Sequence, residues 1–209
     1  MVNMSIFKYI IVAVVAYLLG SLNFSIIISK LTLKKDVRDY GSGNAGTTNS
    51  LRVMGMKKTL LVILGDILKG VIAVIVANLI FGESSDALVR SLAGLFCILG
   101  HTFPVFFGFR GGKGVLTTAA VVGCCDIRVC LLAVSLFIII VAVTRFVSLG
   151  SIIAIWSVPL LFAAFAGFTQ AGITYICFGV LVAVFVTILH RSNIKRLLAG
   201  NENKLKFKK

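Results

Sequence analysis

Seven apolar runs, at roughly 5–29, 59–81, 88–107, 114–125, 128–144, 147–167 and 171–190, take up most of this 209-residue chain. A helix needs about 20 apolar residues, range roughly 17–25, to cross the hydrocarbon of a bilayer. Six runs reach or approach that length. The run at 114–125 is short and reads as a partial span or one arm of a membrane hairpin, with Asp126 and Arg128 at the turn. Residues of the AVILMFWYC set make up 59% of the chain and charged residues 13%, with a mean hydropathy of +1.07. Soluble domains lie nearer about 45–50% and about 25%. This composition excludes a soluble globular protein, and also a disordered chain, which carries little apolar surface. The expected fold is all-α. It is a single polytopic membrane domain over 1–209 with about seven transmembrane helices, one or two of them short or re-entrant.

The first run is too long for a signal peptide and no small-residue cleavage site follows it, so it reads as a retained first helix. Cys97, Cys124, Cys125, Cys130 and Cys177 lie in or beside apolar stretches. They are odd in number and form no C-x-x-C, so neither a disulfide framework nor a zinc knuckle is indicated.

Charge is segregated. With seven crossings, 17 of the 21 basic residues fall on one face, in the segments 30–58, 110–113, 145 and 191–209. The other face keeps Lys8, Arg90 and Arg128 and receives Glu83, Asp86 and Asp126; Lys69 is left inside a helix. The rule that cytoplasmic loops are rich in Lys and Arg then sets the N-terminus outside and the C-terminus in the cytoplasm. The net charge of +14 does not point to nucleic acid, because most of the chain must sit in lipid.

Two glycine clusters lie on the basic face. One is Gly41-Ser42-Gly43-Asn44-Ala45-Gly46-Thr47-Thr48-Asn49, in the first loop; the other is Gly108-Phe109-Arg110-Gly111-Gly112-Lys113-Gly114, after the third long run. Glycine lets backbone N–H groups approach an anion, and flanking cations add charge, so each cluster has the chemistry of a phosphate cradle. Neither belongs to a nucleotide fold. Gly41-x-Gly43-x-x-Gly46 has a membrane helix before it instead of a strand, and Phe107 and Gly114 occupy the positions where a Walker A loop needs Gly and Ser or Thr. A solvated loop beside anionic headgroups is the plainer alternative, but an electrostatic anchor would need only lysine.

His101 and His190, the two histidines, fall near the cytoplasmic ends of the third and seventh runs. His190 and Asn193, at i and i+3, would share a helix face and converge on one ligand. Asp66 and Lys69 have the same spacing inside the second long run, where ionisable residues read either as functional or as a self-neutralising pair bracing the packing. The sequence has no nucleophile elbow, no H-E-x-x-H and no cluster of metal-spaced carboxylates. Any chemistry here would use cations and hydrogen-bond donors on an anionic, activated substrate.

Three long motifs carry a resemblance. Asp36-x-Arg38 with Gly41-Ser42-Gly43-Asn44-x-Gly46-x-Thr48-Asn49 and Arg52-x-x-Gly55 resembles the first motif of the acyl-phosphate-dependent glycerol-3-phosphate acyltransferases. His101-x-Phe103-Pro104-Val105-Phe106-Phe107-Gly108-Phe109-Arg110-Gly111-Gly112-Lys113-Gly114-Val115 resembles the second, and His190-Arg191-x-Asn193-Ile194-x-Arg196-Leu197-Leu198-x-Gly200-x-Glu202 the third. Asp66-x-x-Lys69-Gly70 and Val147-Ser148-Leu149 match as well. Thr47 and Leu116 depart from the family's usual Ala. The His-x4-Asp pair of other acyltransferases is missing: Phe106 and Lys195 follow the two histidines at that position.

The resemblance implies a bacterial inner-membrane enzyme of phospholipid biosynthesis with a cytoplasmic site and no metal or cofactor. It would move an acyl chain from acyl phosphate to the sn-1 hydroxyl of glycerol 3-phosphate, giving lysophosphatidic acid and phosphate. Its partners would be these two substrates and membrane lipid, with no nucleic acid, and it is expected to act as a monomer. Ser42, Asn44 and nearby amides, with Arg52 and Lys113, would bind the two phosphates, and Ser42 and Asn44 would join His190 and Asn193 in catalysis. His190 and Asn193 would position the acceptor hydroxyl or stabilise the oxyanion, with His190 or the leaving phosphate as base. Gly41, Gly43, Thr48, Asn49, His101, Gly111, Gly112, Ser148 and Glu202 would complete the substrate site, Glu202 either binding glycerol or bracing the tail against Arg191 or Arg196. A phosphate-ester transporter would instead bind near the bilayer midplane between repeated halves, and a lipid-anchored structural protein would tolerate Lys-for-Arg changes in the glycine loops.

Overall fold

The computed structural model describes residues 2–82 and 86–205, and no strand occurs among them. Glu83 and the tail residues Lys206, Lys208 and Lys209 lie outside the described residues. Each apolar run becomes helical: α1 (Val2–Ser21) and α2 (Phe24–Leu33) from the first, then α4 (Met56–Phe81), α5 (Ala87–Thr102), α6 (Val115–Cys125), α7 (Ile127–Thr144), α8 (Val147–Ala166) and α9 (Gln170–Leu189). Two further helices, α3 (Thr47–Met54) and α10 (Arg191–Leu198), form in polar segments. Among the described residues, six segments are long and apolar enough to cross a membrane; α6, with 11 residues, is not. The chain is an all-helical, multi-pass membrane protein.

Two local features differ from the pattern of apolar residues. The first run is broken at Leu22-Asn23, because Asn23 turns extended and its Oδ1 accepts the Ile26 amide, starting α2 as a new helix. The first glycine cluster is only half loop. Gly46 is extended and Gly55 has φ +76°, and between them Thr48, Asn49 and Arg52 lie on α3.

Contacts within the chain define two compact units, Met1–Cys125 and Asp126–Lys209. In the first, α5 lies against α1, and α4 packs on α1, α5 and α6. The close fit of α1 to α5 needs two glycines: a Cβ on Gly20 would overlap the Cys97 carbonyl, and one on Gly100 the Tyr17 carbonyl. Small residues let helix backbones approach closely in lipid, where no hydrophobic effect drives them together. Val12, Ala16, Ala73, Ala77, Val89, Ala93 and Cys97 form the core of this packing.

In the second unit α8 lies against α7 and α9. Phe162, Val182, Ala183 and Val186 are buried there, and Gly179 of α9 packs on the ring of Pro159 in α8. Leu79, Val143 and Leu160 are more than two-thirds exposed. Such side chains would be costly in water and suit the hydrocarbon of a bilayer.

Candidate active site

In the first unit the polar residues organise two connecting segments. Asp36 caps a 3-10 turn at Val37–Asp39 by accepting the Arg38 amide, and its carboxylate takes Arg38 Nε at 2.9 Å and Nη2 at 2.8 Å. This bidentate pair, chiefly the Arg38 hydrogen bond against the opposing effect of burial, holds the Asp36 carboxyl down to about 2. The remaining Arg38 nitrogen, Nη1, donates to the carbonyls of Phe107 (2.7 Å) and Arg110 (2.8 Å). A single guanidinium thereby fastens the first glycine segment's approach to the second glycine segment.

Asn49, expected among the substrate ligands, is buried and works within its own loop. Its Oδ1 accepts the Ser42 amide at 2.8 Å, and its Nδ2 donates to the carbonyls of Val37 and Tyr40, both at 3.0 Å. Those three bonds shape the Gly41-Ser42-Gly43 turn. Gly41, Ser42, Gly43 and Arg52 face outward, while Asn44 and Thr48 are half-buried.

The second segment folds back on α5. Gly111 N–H donates to the Thr102 carbonyl (3.0 Å) and Gly112 N–H to the His101 carbonyl (3.1 Å). These two amides are therefore engaged inside the chain, which corrects the picture of them as open donors to a phosphate. The glycines are needed for another reason: a Cβ on Gly112 would overlap Nε2 of His101 and lie 2.6 Å from the Ala45 carbonyl. Ala45 belongs to the first segment, and its carbonyl also accepts Asn23 Nδ2 at 3.2 Å. The two glycine segments thus meet where Gly112, the neighbour of Lys113, lies against Ala45, the neighbour of Asn44, and Arg110 is exposed.

Behind them lies a buried polar cluster. Lys69 Nζ is 2.7 Å from Asp66 Oδ1, 2.8 Å from His101 Nδ1 and 3.0 Å from the Leu22 carbonyl. All three side chains are at least nine-tenths buried. His101 therefore stands inside the unit behind the glycine loop, in the last turn of α5, the end of the third long run where the sequence places it.

The second unit holds the third motif. His190 ends α9 and precedes α10, and its Nδ1 lies 2.8 Å from the Val186 carbonyl. A carbonyl only accepts, so Nδ1 carries a proton, and in the neutral form of the ring the lone pair is on Nε2. Asn193 is buried on α10 and donates to Glu202 Oε1 at 2.7 Å. The same carboxylate takes Ser148 Oγ at 2.9 Å and Arg196 Nε at 2.7 Å. Of the two roles open to Glu202, bracing the tail is the one the geometry displays, with Arg196 as the cation. Burial pushes its carboxyl up, but donation from Asn193, Arg196 and Ser148 outweighs this and leaves it below the usual range.

Tyr17, Asn23 and Arg38 were not among the expected site residues, yet each ties the site together. Tyr17 donates its hydroxyl to the Phe103 carbonyl at 2.7 Å. Asn23 had a readable signal, a polar capping residue inside an apolar run. The carbonyl partners of Arg38 and Tyr17, 69 to 86 residues away, leave no local trace.

Comparison with known proteins agrees over the whole length. A family model described as glycerol-3-phosphate acyltransferase matches residues 10–200. The glycerol-3-phosphate acyltransferase of Halalkalibacterium halodurans is 45% identical over 194 residues, covering 93% of this chain and 94% of that one. That of Clostridioides difficile is 41% identical over 212 residues, covering 99% and 100%. The crystal structure of PlsY (YgiH), an integral membrane glycerol 3-phosphate acyltransferase, in its glycerol 3-phosphate form, is similar with a TM-score of 0.85 and 39% identity, covering 95% of this chain and 96% of that one. Its lysophosphatidic acid form is similar at a TM-score of 0.82. Three motifs, the helical architecture and these relatives lead to one assignment: this chain belongs to the glycerol-3-phosphate acyltransferase family.

Proposed function

We propose that this chain transfers an acyl group from acyl phosphate to the sn-1 hydroxyl of glycerol 3-phosphate, releasing lysophosphatidic acid and inorganic phosphate. The observation that carries the reading is the meeting of the two glycine segments at Gly112 and Ala45, the chain neighbours of Lys113 and Asn44. The names of the relatives, and the glycerol 3-phosphate and lysophosphatidic acid forms of PlsY, support the same acceptor and product.

Acyl phosphate is a mixed anhydride with a fair leaving group, so positioning and charge stabilisation can provide much of the rate. Ser42, Asn44, Thr48, Arg52 and Lys113 bind the phosphates, and Gly41, Gly43, Gly111 and Gly112 give their segments the required shape. Asn49 and His101 hold those segments in place. In the second unit His190 Nε2 takes the proton of the acceptor hydroxyl as it attacks the acyl carbonyl. The acyl–phosphate bond breaks, and the proton passes on to the departing phosphate. Asn193 positions the acceptor and is itself fixed by Glu202, which Ser148 and Arg196 brace. The protein acts as a monomer in the inner membrane of a bacterium, with the N-terminus outside and the substrate-binding residues and C-terminus on the cytoplasmic side.

Purified protein given acyl phosphate and labelled glycerol 3-phosphate, with acyl-CoA as a parallel donor, tests the reaction. Labelled lysophosphatidic acid is expected from acyl phosphate alone. Product from acyl-CoA, or net flux of phosphate ester across liposomes without acyl transfer, would contradict it. Cysteine labelling of Ser42→Cys and Ser192→Cys in a cysteine-free background tests sidedness, and both should react from the cytoplasmic side.

A further inference from the structure

The proposed chemistry gives no task to Asp66 and Lys69, yet they form an ion pair within α4, a membrane-spanning helix. Ionisable residues in that position are expensive and usually have a purpose. Removing one partner of such a pair leaves a buried charge, whereas replacing both together is often tolerated, so stability alone is a weak reason to keep it.

The Lys69 ammonium faces three groups: it is paired with the Asp66 carboxylate and lies within hydrogen-bond distance of the Leu22 carbonyl and Nδ1 of His101. An ammonium only donates, and the Asp66 carboxylate oxygen lies farther from the same Nδ1, at 3.6 Å against 2.8 Å for Lys69 Nζ, so the nearer contact favours a lone pair at Nδ1 and the ring proton on Nε2. That Nε2 edge is the surface on which Gly112 rests, so closely that a Cβ there would overlap it. The backbone of His101 and Thr102 holds the same turn through the amides of Gly112 and Gly111. Lys113 is the next residue. The Leu22 carbonyl sits at the break between α1 and α2, where Asn23 holds Ala45 of the other glycine segment. One ammonium therefore touches the supports of both segments.

We propose that Asp66 and Lys69 are positioning residues, which lock His101 in its Nε2–H tautomer and so set the turn that presents Lys113 to a substrate phosphate. This inference rests on the reading of Lys113 as a phosphate ligand.

Two measurements test it. The chain has two histidines, so the nitrogen NMR spectrum of protein labelled with 15N-histidine is simple, and His190→Gln assigns it. His101 should carry its proton on Nε2 and His190 on Nδ1, opposite tautomers in one protein. A proton on Nδ1 of His101 would overturn the lock without reference to activity. The second measurement is steady-state kinetics of the paired variant Asp66→Asn, Lys69→Met, which removes both charges together. It should raise the KM of the same phosphate substrate affected by Lys113→Ala, by about tenfold or more. Adding Lys113→Ala to the pair should cause little further change. A structural role alone would lower kcat with the amount of folded protein and leave KM unchanged, and that result would overturn the proposal. If the pair does not fold, the tautomer of the wild-type ring decides. If wild-type protein makes no lysophosphatidic acid, the functional reading fails, and the NMR result still stands for or against the lock.

Discussion

The hydroxyl of Ser148, at the start of α8, donates to Oε1 of Glu202 at 2.9 Å across 54 residues of chain. With Asn193 and Arg196 on the same carboxylate, this contact anchors the end of the third motif. Because the folded carboxyl lies below its ordinary range, its contribution is fully present above the pKa of an unfolded glutamate. It is lost as pH falls through the depressed value. Thermal unfolding of wild type and Glu202→Gln should therefore differ most near neutrality and converge on acidification. A gap that is constant with pH would argue against the assignment.

Asp36 makes a sharper prediction. Its carboxyl is held near 2 against an ordinary 3.8, a difference of about 2 kcal/mol. The sign follows from the depressed folded value: the stabilisation is present above pH 3.8 and disappears as pH falls through about 2. Asp36→Asn should lower stability near neutrality by about 2 kcal/mol, and the loss should shrink below pH 3.8. Arg38→Lys should be nearly as damaging, since a lysine cannot hold the carboxylate bidentately while reaching two carbonyls. Denaturant unfolding in detergent measures both.

Gly112→Ala should abolish most activity while leaving the helices intact. The added Cβ would overlap His101 Nε2 and lie 2.6 Å from the Ala45 carbonyl, so the turn must move. Overpacking of this kind costs about 1–3 kcal/mol, and a displacement of about 1 Å can cost about a hundredfold in rate. Unchanged circular dichroism with kcat/KM reduced at least that far is the expected result. Wild-type kinetics would show that the close approach has no functional weight.

His190→Ala should lower kcat by about 10²–10⁴-fold, the usual range for a lost general base, with normal expression. The ring nitrogen that accepts the proton is Nε2, because Nδ1 donates to Val186. Asn193→Ala should lower kcat and also shift the acid stability of the tail, because Glu202 loses a donor. Near-normal turnover in both would remove these residues from the mechanism.

The contrast between α2 and α4 shows how far a one-dimensional reading reaches. α4 was legible because every residue from 59 to 81 either is apolar or belongs to the spaced pair Asp66 and Lys69 or is small or neutral, and partition into lipid depends on the residues themselves. The break at Asn23 left one trace in the sequence, a capping residue among apolar neighbours, and a single cap changes the average hydropathy little while redirecting the chain. Likewise the second segment was legible as Gly-Gly-Lys, but the reason for the glycines was not. Their amides bond to His101 and Thr102, and that depends on how the chain returns to α5.

The sequence alone determined that this chain lives in a membrane, that its spans are helical, and which short polar stretches carry its chemistry. Those properties follow from each residue's preference for lipid or water and from spacing along one helix. Tertiary structure decided the partners: Arg38 on the carbonyls of Phe107 and Arg110, Asn49 on Ser42, Lys69 on His101, and Asn193 on Glu202. A hydrogen bond needs a donor and an acceptor within about 3 Å. Only the packing of one element on another, set here by glycines such as Gly20 and Gly100, brings such groups together.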